Sequence, residues 1–251
     1  MNNVTAALQQ LETYNKNNGI NVYVPSLKRE VKFKNLTLLQ QKGLLKSSIE
    51  ESLTKLSFIV SICDILKQNN LDTSIDIDTL FVFDRIALSV ALRSKCLDNN
   101  YTTGENGKID LNVVVENYKN IPLIDLNDKN LEHENFSITV TPPRVLSDKK
   151  ISEFSIKKIA ASSDKDLKSI LSELFVYELV KFIKTFTIKD VNTTIDFTQI
   201  TAEERVKLAE QLPSQLVTKL LEYIKTYRDF ETKFTTTGEH TIDVDGSFFT
   251  I

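Results

Sequence analysis

The stretch Asp78–Leu97, DTLFVFDRIALSVALRSKCL, places the tightest limit on what this chain can fold into. Leu80, Phe83, Ala87, Val90 and Ala91 recur at helical spacing, and Phe81, Val82, Ile86, Leu88 and Leu92 fill the opposite side. Asp84, Arg85, Ser89, Arg93 and Lys95 interrupt it, with Arg85, Ser89 and Arg93 on one narrow i, i+4 stripe. A helix apolar nearly all round belongs in the middle of a core. Charge breaks the run too often for a bilayer span, which needs about 20 mostly apolar residues. The pattern predicts the central helix of a soluble domain, started by an Asp78 cap. Phe83, Ile86 and Val90 should be nearly inaccessible.

The segments around it alternate between strand and helix patterns. Residues 1–19 are rich in Asn and Gln, with Leu8 and Leu11 as the main apolar points. They read as an arm, either a short helix that orders on a partner or a frayed terminus. In Asn21–Leu36, Val22 and Val24, then Val31 and Phe33, alternate around Pro25-Ser26 as a β-hairpin. Thr37 with Gln40 forms a capping box for a helix running toward Lys67. Gly43, Ser47-Ser48 and a possible restart at Ser48-x-x-Glu51 mark where it breaks. Ile109, Leu111 and Val113 read as a strand after a turn at Gly104–Gly107. Glu116–Glu134 reads as loop. Phe136, Ile138 and Val140 form a strand that ends at Pro142-Pro143.

Beyond Lys149 the pattern is helical: a short Ile151–Ile159, then Leu167–Lys184 started by Asp164 or Asp166. Ala202–Gln211 follows behind a Thr201/Glu204 capping box, and Gln215–Tyr227 after Pro213. The chain closes on TKFTTTGEHTIDVDGSFFTI, a further hairpin. YTTGENGKIDLNV and FTTTGEHTIDVDG share an aromatic residue, a Thr-Gly-Glu turn and an Ile-Asp strand, as two similar turns or as a short duplication. The expected fold is α+β: an N-terminal β-hairpin and helices around a buried central helix, short antiparallel strands, and a helical C-terminal half ending in a β-hairpin. The expected division is an arm at 1–19, an α+β lobe at 20–146 and a mostly helical lobe at 147–251.

Sites for chemistry are sparse. The net charge of −3 gives no reason to expect nucleic acid as a partner. With 6 glycines, no GxGxxG or P-loop occurs. No GxSxG, HExxH or Cys/His spacing occurs either, so no catalytic, cofactor-binding or metal-binding residue is assigned. Cys63 and Cys96 read as small core residues of a reducing compartment. His133, between Glu132 and Glu134, reads as part of a charged loop, and His240 as solvated. Arg85 or Arg93 should bond a buried carboxylate or carbonyl. Paired acids such as Asp76/Asp78 and Asp243/Asp245 read as solvent-facing. No signal peptide or membrane span is expected. The end of the chain, Gly246-Ser247-Phe248-Phe249-Thr250-Ile251, is apolar where termini are usually polar. On a strand, Phe248 and Phe249 would point to opposite faces, one into the core and one toward a partner. Phe248, Phe249, Leu8 and Leu11 are therefore the candidate partner-binding residues.

Four segments carry a resemblance: VYVPSLKREVKFKNLTLLQQKGLL, FDRIALSVALRSKCL, NFSITVTPPRVLSD and the closing LLEYIKTYRDFETKFTTTGEHTIDVDGSFFTI. In that order they resemble the baseplate hub and hub-assembly proteins of T-even-type contractile-tailed bacteriophages. The matching positions are Pro25, Ser26, Val31, Phe33 and Leu36; Leu92, Arg93 and Lys95; and Gly246, Phe248 and Phe249. Some relatives carry cysteine pairs near the two hairpin turns, whereas this chain has Thr102-Thr103-Gly104-Glu105 and Thr235-Thr236-Thr237-Gly238, so no zinc role carries over. The resemblance implies a non-enzymatic structural or chaperone role in the baseplate hub, without cofactor. Its partners would be hub and tail proteins, the tape-measure protein among the candidates, in multiple copies and without nucleic acid or membrane. It would sit in the virion tail baseplate, and in the host cytoplasm during assembly. The alternatives are an enzyme with a site assembled from Arg85, Arg93, Glu132 and His133, or an intracellular regulator bound through the arm.

Overall fold

A computed structural model describes residues 3–47, 54–103, 107–162 and 167–249. The expectations at Ser48–Glu51, at the Gly104–Asn106 turn, at Asp164 and Asp166 and at the last two residues lie outside them. The fold is α+β, in two compact units: residues 1–122 with 233–251, and residues 123–232.

The first unit begins with helix α1 (Asn3–Asn17) and the hairpin β1 (Ile20–Val24) and β2 (Arg29–Phe33). Val22 pairs with Val31, and the alternation puts Val22, Val24, Val31 and Phe33 in the core. Gly19 enters this hairpin where a Cβ would lie 2.4 Å from the Phe33 carbonyl oxygen, so a side chain has no room. Helix α2 (Leu38–Ser47) starts at the expected capping box: the Gln40 N–H donates to Thr37 Oγ1, and the Thr37 N–H to Gln40 Oε1. Helix α3 (Thr54–Asn69) follows.

The central helix is α4 (Val82–Cys96), with 11 of its 15 residues buried, enough to make it the axis of this unit. Phe83 and Val90 are fully buried as expected, but Ile86 is only half-buried. The start also differs from expectation. Asp78 lies in a 3-10 turn (Ile77–Thr79) that Asp76 caps, and it pairs with Lys67 at 2.5 Å. Asp84 does the work at the helix start, accepting the Phe81 N–H at 3.0 Å. The "polar stripe" of Arg85, Ser89 and Arg93 is buried too. Ser89 Oγ bonds the Arg85 carbonyl one turn back, which lets a hydroxyl sit in the core.

Strands β3 (Asn100–Thr103) and β4 (Gly107–Asp110) make a second hairpin, followed by helix α5 (Leu111–Asn117). Leu111 and Val113 were expected in a strand. Instead, the Asp110 carboxylate accepts the Asn112 N–H at 2.9 Å and starts a helix. Leu111 and Val114 then face inward at i, i+3 while Val113 stays exposed.

The second unit is built on an antiparallel sheet in the order β5 (Lys129–His133), β6 (Phe136–Val140), β7 (Ile183–Ile188), β8 (Thr193–Asp196). One row in register crosses it: Leu131, Ile138, Phe186 and Ile195. Helices α6 (Val145–Ala160) and α7 (Leu167–Val180) lie in the chain between β6 and β7, and α8 (Ala202–Glu210) and α9 (Ser214–Glu231) follow β8. The expected Thr201/Glu204 box caps α8. Phe182 and Tyr227 meet edge-on, with ring centroids 5.3 Å apart.

Several expectations change here. Part of the expected loop 116–134 is strand β5, whose one apolar residue, Leu131, leaves no alternation to read. The helix expected to reach Lys184 stops at Val180, and Ile183 and Lys184 begin β7. The expected boundary at 146/147 would cut this sheet, because β6 pairs with β7 across two intervening helices. The chain therefore leaves the first unit after Pro122 and returns to it at Lys233. There it forms the short hairpin β9 (Thr236–Thr237) and β10 (His240–Thr241), which turns at Gly238 with φ of 58°. Both similar stretches thus fold as hairpins, with Ile109 and Ile242 buried.

A buried lysine anchors the second unit. Lys181 Nζ lies 2.7 Å from Asp148 and 2.5 Å from Glu178, and Arg228 reaches Glu178 at 2.7 Å. The Lys181 and Asp148 side chains are 4% and 5% exposed. Burial alone would lower the Lys181 pKa, but the two carboxylates outweigh it and hold it above the ordinary lysine value. A raised lysine pKa stabilises the fold at any pH below the ordinary lysine range and loses that effect only as pH rises through the raised value.

Two stability measurements check this description. Phe83→Ala should cost about 3–5 kcal/mol in a urea melt, because the ring is fully buried and stacks on Phe234 at 5.3 Å. Lys181→Met should cost about 3–5 kcal/mol by taking the Lys181 cation away from the buried Asp148 carboxylate. Adding Asp148→Leu should recover most of that loss. A Lys181→Met variant as stable as the native chain would mean that the ion pair is not what orders these helices.

Candidate functional site

The end of the chain is an anchor. Ser247–Phe249 is a 3-10 turn, not a strand, and Asp245 caps it by accepting the N–H groups of Ser247 and Phe248 at 2.8 and 3.2 Å. In a 3-10 turn neighbouring side chains need not diverge to opposite faces, and both phenylalanines are fully buried in the first unit. Phe249 sits 6.0 Å from Phe58, and Phe248 meets Tyr101 at 5.1 Å. The expectation that one of the two rings faces a partner is therefore corrected.

Arg93 fixes this anchor. Its guanidinium donates to the Phe248 carbonyl and lies 5.1 Å from the Phe248 ring and 5.5 Å from the Tyr101 ring. It is a carbonyl-binding arginine, as the sequence suggested, placed where cation–π contact is strong because water is excluded. Burial pulls the Arg93 pKa down, and Asp98 and Tyr101 oppose that.

Two more of the segments singled out in the sequence meet in the same unit, while the fourth, Asn135–Asp148, belongs to the second. Asp84, fully buried, accepts the Ser26 N–H at 2.9 Å as well as the Phe81 N–H, tying the hairpin turn to the start of α4. The Leu36 N–H reaches Cys96 Sγ at 3.5 Å, beside the helix end. Pro25, Val31, Phe33, Leu92, Phe248 and Phe249 are all buried there.

The scattered residues of the enzyme reading are spent elsewhere. Arg85 and Arg93 are buried side chains of the first unit. Glu132 and His133 belong to β5 of the second, where Glu132 pairs with Lys189 at 2.7 Å and this pairing lowers its pKa. Among the described residues no group of three His, Cys, Asp or Glu side chains could hold a metal ion. No helix among them is long and apolar enough to cross a membrane. A cleft of about 470 Å³ in the second unit is lined by Leu131, Lys129, Lys219 and Tyr223 among others. Its cations are already engaged: Lys129 with Asp125 at 3.8 Å, and Lys219 with the Glu132 carbonyl at 2.6 Å.

Four of the exposed large apolar side chains lie on α1, with Leu38 and Leu39 among those exposed elsewhere. None of the α1 residues is buried. Leu8 and Leu11 are 61% and 59% exposed, and Val4 and Tyr14 on the same side are 62% and 61% exposed. The sequence reading named Leu8 and Leu11. It missed Val4 and Tyr14, although the spacing i, i+4, i+7, i+10 was there to extend them. No protein-family model, curated protein or solved structure matches the chain.

Phe248→Ala and Phe249→Ala should each lower stability by about 3–5 kcal/mol, since each empties a fully buried aromatic site. Thermal melts of the two variants check this. If either variant melts like the native chain, the anchor is misplaced.

Proposed function

We propose that this protein is a non-enzymatic structural or assembly component of the baseplate hub of a contractile phage tail. It would act through contacts with hub and tail proteins, the tape-measure protein among them, in the virion baseplate and, during assembly, in the host cytoplasm. One observation carries the reading. Three of the four segments that carry the resemblance close on one another in one unit: Ser26 on Asp84, Leu36 on Cys96, Phe248 on Arg93. Such mutual dependence is expected of segments that specify a shared fold, and it supports a structural role for them.

The test is to tag the gene in an infecting phage and to probe purified virions and hub-assembly intermediates for the protein. Presence in either, lost or reduced when the Arg93–Phe248 anchor is broken, is the expected result. Absence from both overturns the baseplate reading.

A further inference from the structure

We propose that α1 is a self-association helix, and that the α1 helices of more than two copies of this chain pack into a bundle. The proposal deepens the multi-copy part of the baseplate reading. Its test uses the isolated protein, so it can fail while that reading stands.

In a single copy, α1 has little to keep it helical. It has 15 residues and none is buried. A helix of that length without tertiary packing is marginal in water. Its composition makes this worse, since Asn3, Val4, Thr5, Thr13, Tyr14, Asn15 and Asn17 are all middling or poor helix formers. The helix needs a surface to pack on.

The charge on α1 favours its own copies as partners. Glu12 and Lys16 are its only charged residues, and they pair with each other at 3.3 Å. The remainder of the polar face is Asn, Gln and Thr. Copies of α1 can therefore face one another without like-charge repulsion and without stripping water from an unpaired ion. A partner selected by charge would find nothing here to recognise.

The width of the apolar stripe sets the copy number. At 100° per residue, Val4, Leu8, Leu11 and Tyr14 span about 120° of the helix. A strict two-stranded seam is narrower than that, and a wider stripe suits a helix with two neighbours. Such a stripe offers on the order of 400 Å², so one pair of facing stripes buries on the order of 800 Å², about half of a standard stable interface, and a single pair of helices falls short of one.

Sedimentation equilibrium of the purified full chain across the micromolar range tests this. The native chain should form a species heavier than a dimer. Because the contact is apolar, raising the salt should not weaken it. The Leu8→Gln, Leu11→Gln double variant keeps good helix formers, and should lose the association while melting like the native chain. Gln9→Lys, on the opposite side of α1, should associate like the native chain. A native chain that stays monomeric, or stops at a dimer, overturns the proposal. So does a double variant that still assembles, or a Gln9→Lys variant that does not.

Discussion

The first unit depends on one buried carboxylate. Asp84 is fully buried, and burying an ionised carboxylate is costly unless strong donors replace its water. Here the donors are two backbone N–H groups, from Ser26 and Phe81. One lies in a hairpin turn and the other at a helix N-terminus, where backbone donors lack an intrahelical acceptor. The carboxylate also sits where the positive end of the helix dipole favours it. One side chain therefore joins the N-terminal hairpin to the central helix, and everything packed on α4 inherits that placement.

At the other end of the same helix Arg93 does the complementary job. It is a cation in the last turn, where the helix dipole favours positive charge. It reaches a backbone carbonyl contributed from 155 residues away in the chain. The two ends of α4 thus hold the two segments that close the unit, one 58 and one 155 residues away in the chain. The second unit uses a different device, a lysine held between two carboxylates, with the Lys181–Asp148 contact almost wholly removed from water.

Arg85, Arg93 and the terminal phenylalanines, which look functional as isolated letters, are buried in the first unit. The apolar side chains of α1 are among those that the fold leaves exposed, as are Leu38 and Leu39 at the start of α2.

Much of the architecture was legible from sequence where it depends on local chemistry. The Thr37/Gln40 and Thr201/Glu204 caps, the β1–β2 alternation and the burial of α4 all follow from contacts within a few residues. The strand read over Leu111 and Val113 failed locally, because the Asp110 cap starts a helix there; three other failures share a long-range cause. Strand β5 shows no alternation and exists because β6 lies beside it. The boundary after Pro122 follows from a sheet that pairs β6 with β7 across two helices. Phe248 and Phe249 turned out to be core residues because Asp245 winds them into a 3-10 turn and Arg93 draws that turn inward. Hydrophobic period and capping act over a few residues, so the sequence by itself determined most of the helices and the first hairpin. Which strands pair, where the chain divides and which way its last aromatics face are set by contacts between distant residues, and only the tertiary structure decided them.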